Sequence, residues 1–196
     1  MMDVSRETEQ RLSAYAALLR KWNDRINLIS PSTADELERR HIADCLQLAH
    51  LANPIEGVWA DLGSGGGLPG VVIAIACAST RLQMVLVESD QRKAAFLRVA
   101  IRELGLTRAR VENARIEALP PLQADHISAR ALAPLPRLVP YVERHLKPDG
   151  QAWLMKGENW QAELAEAAIG PRFRVESFPS QTQPGAAILK LSGMKP

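Results

Sequence analysis

The segment Asp61-Leu62-Gly63-Ser64-Gly65-Gly66-Gly67-Leu68-Pro69-Gly70 constrains this chain more than any other. An apolar, strand-like run precedes it, and the apolar run Val71-Val72-Ile73-Ala74-Ile75 comes directly after it. Glycines let the backbone turn sharply and leave no Cβ between the main chain and a ligand. A strand that ends in such a turn and reopens as a helix offers amide N–H groups and a helix N-terminus to a polar or anionic group. A merely structural turn is the plain alternative, and the strand-turn-helix context argues against it.

From residue 57 onward, short apolar runs alternate with helical stretches. Strands are expected at 57–62, 83–88, 109–111, 126–128, 152–156, 172–177 and 187–191, with helices at 69–78, 91–104, 135–146 and 160–168. Such alternation builds a parallel, doubly wound sheet with right-handed crossovers. Only 179–185 separates the last two strands, too short for a crossover helix, so they should pair antiparallel. The expected α/β architecture, a mostly parallel seven-stranded sheet with a C-terminal antiparallel hairpin, resembles the Rossmann-like class I methyltransferase fold. Ahead of it, Leu12, Tyr15, Leu19, Trp22 and Ile26 recur at three- and four-residue steps, the stripe of an amphipathic helix that Pro31 ends. Ser32 and Thr33 stand in capping-box spacing to Asp35 and Glu36, which predicts a second helix to about Leu51, closed by Asn53-Pro54. The domain reading is therefore a helical extension over 1–54 and a ligand-binding domain over 55–196.

A chain of 196 residues holds one full α/β domain and an appendage, not two large domains. Its net charge of +2 permits a nucleic-acid partner without demanding one, because local patches decide. Cys45 and Cys77 lack metal-ligand spacing and sit in apolar runs, so two buried thiols and no metal are expected. The N-terminus lacks the basic-then-apolar pattern of a secretory signal, and the longest apolar run, 71–78, is too short to span a bilayer. The expectation is a soluble, cytoplasmic protein with no membrane partner.

The glycine loop departs from the dinucleotide fingerprint, which wants glycine where Leu68 stands. Its Gly63-x-Gly65-x-Gly67 spacing instead resembles the first motif of adenosylmethionine enzymes. Glu88 ends the second strand, where a carboxylate can accept from both ribose hydroxyls; its alternative role is to begin the cap of the next helix, beside Ser89-Asp90. Asn113-Ala114-Arg115-Ile116-Glu117 lies just past the third strand, at the edge where open α/β sheets bind ligands. Ile116 suits an adenine face, and Glu117 or nearby backbone can meet the exocyclic amine; Glu117 also reads as an exposed helix-start residue.

Ser128-Ala129-Arg130-Ala131 ends the fourth strand, where methyltransferases carry acceptor-side residues. The Asn/Asp-Pro-Pro-aromatic signature of DNA amino-methyltransferases and the Pro-Cys nucleophile of pyrimidine C5 enzymes are both absent, so covalent catalysis is not expected. Arg115, Arg130 and Lys156 come after strands three, four and five. One such cation reads as surface charge, whereas three at successive strand ends suit a phosphate-bearing acceptor.

Trp22-Asn23 with Asn27-Leu28, Arg40-His41-Ile42-Ala43-Asp44, the glycine loop, Glu88-Ser89 with Lys93 and Phe96-Leu97, Arg115-Ile116-Glu117, Ser128-Ala129-Arg130-Ala131 and Lys156-Gly157 occur in one order. Together they resemble the RsmG (GidB) family of bacterial 16S rRNA methyltransferases. The resemblance implies methyl transfer from S-adenosylmethionine to N7 of one guanine in a decoding-region loop of 16S rRNA, with naked rRNA and the assembled small subunit both open as substrate; a monomer is expected. It implies cofactor contacts at Gly63, Leu68, Ile116, Glu117 and Arg130, to which the residue reading adds Gly65 and Glu88. Arg115 and Arg130 would be the catalytic, acceptor-side arginines, with Asn27, His41 and Lys156 also near RNA. Two departures stand out: Cys45 replaces the usual serine, a change expected to matter to packing, and 184–187 lacks an expected arginine.

Guanine N7 carries an in-plane lone pair and no proton, so no general base is required and orientation is the main catalytic device. His41 is the main challenge to this view: if it contacts the acceptor, its titration would impose a shallow change near neutrality. Two other classes compete. A nicotinamide oxidoreductase is disfavoured by Leu68 and by the missing Tyr-x-x-x-Lys pair, and a non-catalytic RNA-binding module by the retained cofactor-site residues.

Overall fold

The computed structural model describes residues 4–30 and 35–194. Its strands are β1 (Val58–Leu62), β2 (Gln83–Val87), β3 (Ala109–Glu112), β4 (Ala124–Arg130), β5 (Leu146–Lys156), β6 (Arg174–Pro179) and β7 (Ala187–Ser192). They form one sheet in the order β3-β2-β1-β4-β5-β7-β6. The first five strands pair in parallel, and β7 lies antiparallel to both β5 and β6. The helices are α1 (Arg6–Asn23), α2 (Ala43–Ala52), α3 (Gly70–Ala76), α4 (Gln91–Glu103), α5 (Leu135–His145) and α6 (Trp160–Ala167). The parallel sheet, closing hairpin and helical extension match the sequence reading.

The two-residue period of a strand sends alternate side chains to opposite faces, and two cores result. Trp59, Met84, Leu86, Trp153 and Met155 face α3, α4 and the extension. Ala60, Leu62, Val85, Val87 and Leu154 face α5 and α6. The extension is no satellite: Leu12, Tyr15, Leu19, Leu37 and Leu48 are buried in the same core as Trp59 and Phe96. Among the described residues, no helix is long and apolar enough to cross a membrane.

Local departures have physical causes. α1 stops at Asn23 although the apolar stripe runs to Ile26, because Asn23 Oδ1 accepts from the Leu28 and Ile29 N–H groups at 2.9 and 3.0 Å. Side-chain acceptors of this kind compete with the helix ladder. Trp22 and Ile26 still pack on the core. Pro31, Ser32 and Thr33, the expected breaker and cap, lie outside the described residues. The second helical stretch is not one regular helix: a π-helical segment, Leu37–Ile42, leads into α2, which Asn53 closes at φ 40°. β5 begins at Leu146, earlier than expected. Of the two thiols expected to be buried, only that of Cys45 is; Cys77, at the C-cap of the short α3, is half-buried.

Candidate functional site

β1 and β4 are neighbours, yet the chain leaves β1 toward β2 and β3 and leaves β4 toward β5. Open α/β sheets bind ligands beyond the carboxyl ends of the strands at such a reversal. The β6–β7 turn reaches the same edge, since Ala187 pairs with both Lys156 and Pro179. A cavity of about 770 Å³ opens there, within the roughly 300–1,000 Å³ usual for small-molecule sites.

Asp61 forms the floor of the reversal and is 1% exposed. Its Oδ1 accepts from Ser128 Oγ at 2.7 Å and its Oδ2 from the Gly70 N–H at 3.2 Å. Trp59 Nε1 in turn donates to Ser128 Oγ at 2.8 Å. A Cβ on Gly70 would lie 2.6 Å from Asp61 Oδ2, so only glycine allows this approach. Burial pushes the Asp61 carboxyl up to about 6, against the lowering effect of the Ser128 hydrogen bond.

Above this floor, Gly65 turns with φ 53° and donates its N–H to Glu88 Oε2 at 2.8 Å. A Cβ there would meet nothing nearer than Gly63 O at 3.9 Å, so this backbone faces open space in the cavity. Glu88 Oε1 accepts from the Asp90 N–H at 2.8 Å, while Asp90 itself caps α4 through the Arg92 and Lys93 N–H groups. Glu88 is therefore not the helix cap. Its carboxylate is free to accept further donors from the cavity side.

Gly63, Gly65, Leu68, Glu88, Ile116 and Glu117 all line this half of the cavity. The extension closes it from above. Tyr15 Oη donates to Gly66 O at 2.6 Å, and Leu28 packs so closely that a Cβ on Gly66 would lie 3.2 Å from it. The sequence reading placed Tyr15 on a core face and missed this bond. The available signal was its identity, since a tyrosine in an apolar stripe carries a hydroxyl that needs a partner.

His41, Arg130 and Lys156 line the other half, with Arg115 at the exposed rim. Arg130 Nη2 lies 2.7 Å from His41 Nδ1, and Nη1 reaches His41 O at 3.4 Å and Cys45 Sγ at 3.7 Å. Arginine only donates, so Nδ1 accepts and the imidazole proton sits on Nε2. Burial, then the Arg130 and Arg40 charges, push His41 down to about 4. A shallow His41 titration near neutrality, the complication raised for the acceptor side, is thus not expected. Cys45 does more than pack, because it touches Arg130, and burial pushes its thiol up to about 12. The next residue after Arg130, Ala131, turns the chain at φ 51°, a conformation uncommon outside glycine.

Lys156 is at the cavity but already engaged: its Nζ lies 2.6 Å from Glu163 Oε2 and donates to Ala133 O at 3.0 Å. Arg115 sits 3.6 Å from Glu117 in a solvent-exposed pair, the kind that contributes little and yields to a competing anion. Asn27 is exposed and is not among the residues lining the cavity.

A family model described as GidB, rRNA small subunit methyltransferase G, matches residues 8–184. The chain is 59% identical over 194 residues to "Ribosomal RNA small subunit methyltransferase G" of Paracoccus denitrificans, covering 99% of each. A relative of the same name from Cereibacter sphaeroides is 51% identical, over 98% of this chain and 94% of its own. Among solved structures, a SAM dependent methyltransferase from Aquifex aeolicus superposes with a TM-score of 0.60 at 14% identity, over 90% of this chain and 97% of its own. Ribosomal protein L11 methylase from Lactobacillus delbrueckii gives 0.63 at 17%, over 78% and 77%. At such identities these two structures establish the fold.

The buried carboxylate yields a stability prediction. Asp61 takes up its proton at about 6 in the folded chain, against an ordinary value of 3.8. Between those values the folded state binds the extra proton, so this residue favours folding as pH falls and loses that contribution as pH rises through 6. Relative to Asp61→Asn, the native chain should gain on the order of 3 kcal/mol in unfolding free energy from pH 7.5 to pH 4. Urea denaturation of both proteins across that range measures the difference, and a constant difference would contradict the assignment.

Proposed function

Because the chain belongs to the rRNA small subunit methyltransferase G family, we propose that it transfers a methyl group from S-adenosylmethionine to N7 of a guanine in 16S rRNA. The observation that carries this reading is one cavity across the β1/β4 reversal, with a glycine loop and Glu88 on one side and Arg130 and Arg115 on the other. In this reading residues 1–54 are the helical extension and 55–196 the methyl-transfer domain, which works in the cytoplasm as a monomer on the small subunit.

The residues of the β1–β3 half fit the cofactor. Gly63 and Gly65 present backbone to the cavity, the Glu88 carboxylate accepts from ribose hydroxyls, and buried Ile116 with Leu68 offers apolar surface to adenine beside Glu117. S-adenosylmethionine supplies an electrophilic methyl group on a sulfonium sulfur. Arg130, at the end of β4 beside the glycine loop, borders both ligands and orients the acceptor base through a guanidinium fixed by His41. Arg115 meets acceptor phosphate at the rim, exchanging its weak pair with Glu117 for a charge-assisted contact.

No side chain needs to accept a proton, and the titratable groups around Arg130 agree. His41 is pushed down to about 4, Cys45 up to about 12, and Tyr15 well above its ordinary range by burial. What remains for the protein is to hold nucleophile and methyl in line and to exclude water.

Glu88→Ala removes charge-assisted bonds and should weaken S-adenosylmethionine binding roughly ten- to a hundred-fold with the fold retained. Calorimetry reads this directly; undiminished affinity would reject the ribose role. Arg115→Ala should lower RNA methylation more than cofactor affinity, whereas Arg130→Ala should lower both. Equal, small effects of the two would contradict the division of the cavity.

Single-turnover transfer at saturating ligands should be nearly flat from about pH 7 to 9, a window without a titrating acceptor-side group. His41→Asn should leave that shape unchanged. A steep limb inside the window would mean that some residue removes a proton, pointing to an amine or hydroxyl acceptor.

A further inference from the structure

Two polar side chains of α2 are buried, 8% and 6% exposed: Asp44, which reaches the cavity lining, and Gln47 behind it. Both point to the turn between β6 and β7. Gln47 Nε2 donates to Pro179 O at 2.8 Å, and its Oε1 accepts from the Gln181 N–H at 3.0 Å. Ser180 Oγ accepts from the Thr182 and Gln183 N–H groups at 3.2 and 3.0 Å, which shapes the turn, and donates its own proton to Asp44 Oδ1 at 2.7 Å. Arg40 Nη2 adds a bond to Gln183 Oε1 at 2.9 Å. The second Asp44 oxygen, Oδ2, lies 4.0 Å from Arg130 Nη2.

One carboxylate thus joins a hairpin turn to the arginine at the end of β4. Ser180, Gln183, Ala186 and Ala187 of that turn line the cavity beside Arg130 and Lys156. Hairpin turns on the surface are ordinarily among the more mobile parts of a fold. This one is fastened at several points, on the side of the cavity where the acceptor must be oriented.

We propose that Asp44 is a positioning residue for the acceptor, holding the β6–β7 turn and the Arg130 guanidinium as one rigid wall of the acceptor half. The inference rests on the methyl-transfer reading and assigns that wall its fastening. Misplacing a reacting group by about an ångström costs on the order of a hundred-fold in rate. A loosened wall, with the Arg130 side chain still present, should therefore act on the acceptor far more than on the cofactor, most of whose contacts lie on β1 to β3.

The test compares Asp44→Asn, Ser180→Ala and their combination in the full-length enzyme. Single-turnover transfer to small-subunit RNA should fall about ten- to a hundred-fold in each single variant, while S-adenosylmethionine affinity stays within about two-fold of the parent. The double variant should be no slower than the worse single one, because both break the same path. Ser180→Thr, which keeps the hydroxyl, should restore most of the rate.

Amide exchange at Thr182 and Gln183 should quicken in Ser180→Ala, a readout independent of activity and available if Asp44→Asn folds poorly. Unchanged transfer in both single variants, or cofactor affinity falling in step with rate, would overturn the proposal. Unchanged exchange would overturn it whether or not RNA is methylated. Absence of transfer by the unaltered enzyme would instead reject the functional reading.

Discussion

The carboxylate of Asp61 is the interaction on which the rest of the site depends. It sits at the one place where the strand order reverses, and it accepts from β4 through Ser128 and from the start of α3 through Gly70. An isolated carboxylate there would be expensive to bury; two donors, one of them in turn bonded to Trp59, offset that cost, and the raised Asp61 pKa records the remainder. With β1, β4 and α3 fixed to one another, the intervening glycine loop has nowhere to go but outward over the cavity. The strand period then fixes Arg130. Two residues beyond Ser128, it shares the face that the extension covers, and so it meets His41 and Cys45.

The two halves of the cavity solve different problems. Glycine backbone, the apolar Leu68 and Ile116 and the acidic Glu88 and Glu117 line the β1–β3 half, with Glu88 bracing Gly65 on one oxygen and Asp90 on the other. Cations populate the second half, but most of their charge is compensated internally. Lys156 belongs to Glu163, and Arg130 is held by His41 and lies beside Asp44. At the rim, Arg115 stands in an exposed pair weak enough for a phosphate to displace. A net charge of only +2 is compatible with RNA recognition of this kind, which relies on placement rather than on a broad basic field.

Much of this was legible in the sequence, for a physical reason. Apolar periodicity and glycine placement are local properties, so the alternation of strands and helices, the closing hairpin and the glycine loop could be read directly. The Glu88 alternatives were also local: Asp90 caps α4, and Glu88 braces Asp90 through its N–H. What escaped is non-local. Tyr15 finds its acceptor 51 residues away, and Ser180 finds Asp44 across 136. The shift of His41 comes from burial and from Arg130, 89 positions distant. Lys156 reads as an available cation at a strand end until Glu163 is seen beside it. The π-helical segment around Arg40 and His41 carries no pattern that distinguishes it from an ordinary helix.

The most direct measurement is the position of the transferred methyl group. Small subunits from cells lacking this activity would be incubated with the purified protein and isotopically labelled S-adenosylmethionine, and the 16S rRNA analysed by nucleoside mass spectrometry and N7-methylguanine-specific strand cleavage. The account predicts label in a single N7-methylguanosine per RNA, at one position. Label on an exocyclic amine or a ribose hydroxyl, or no label in the RNA, would contradict it.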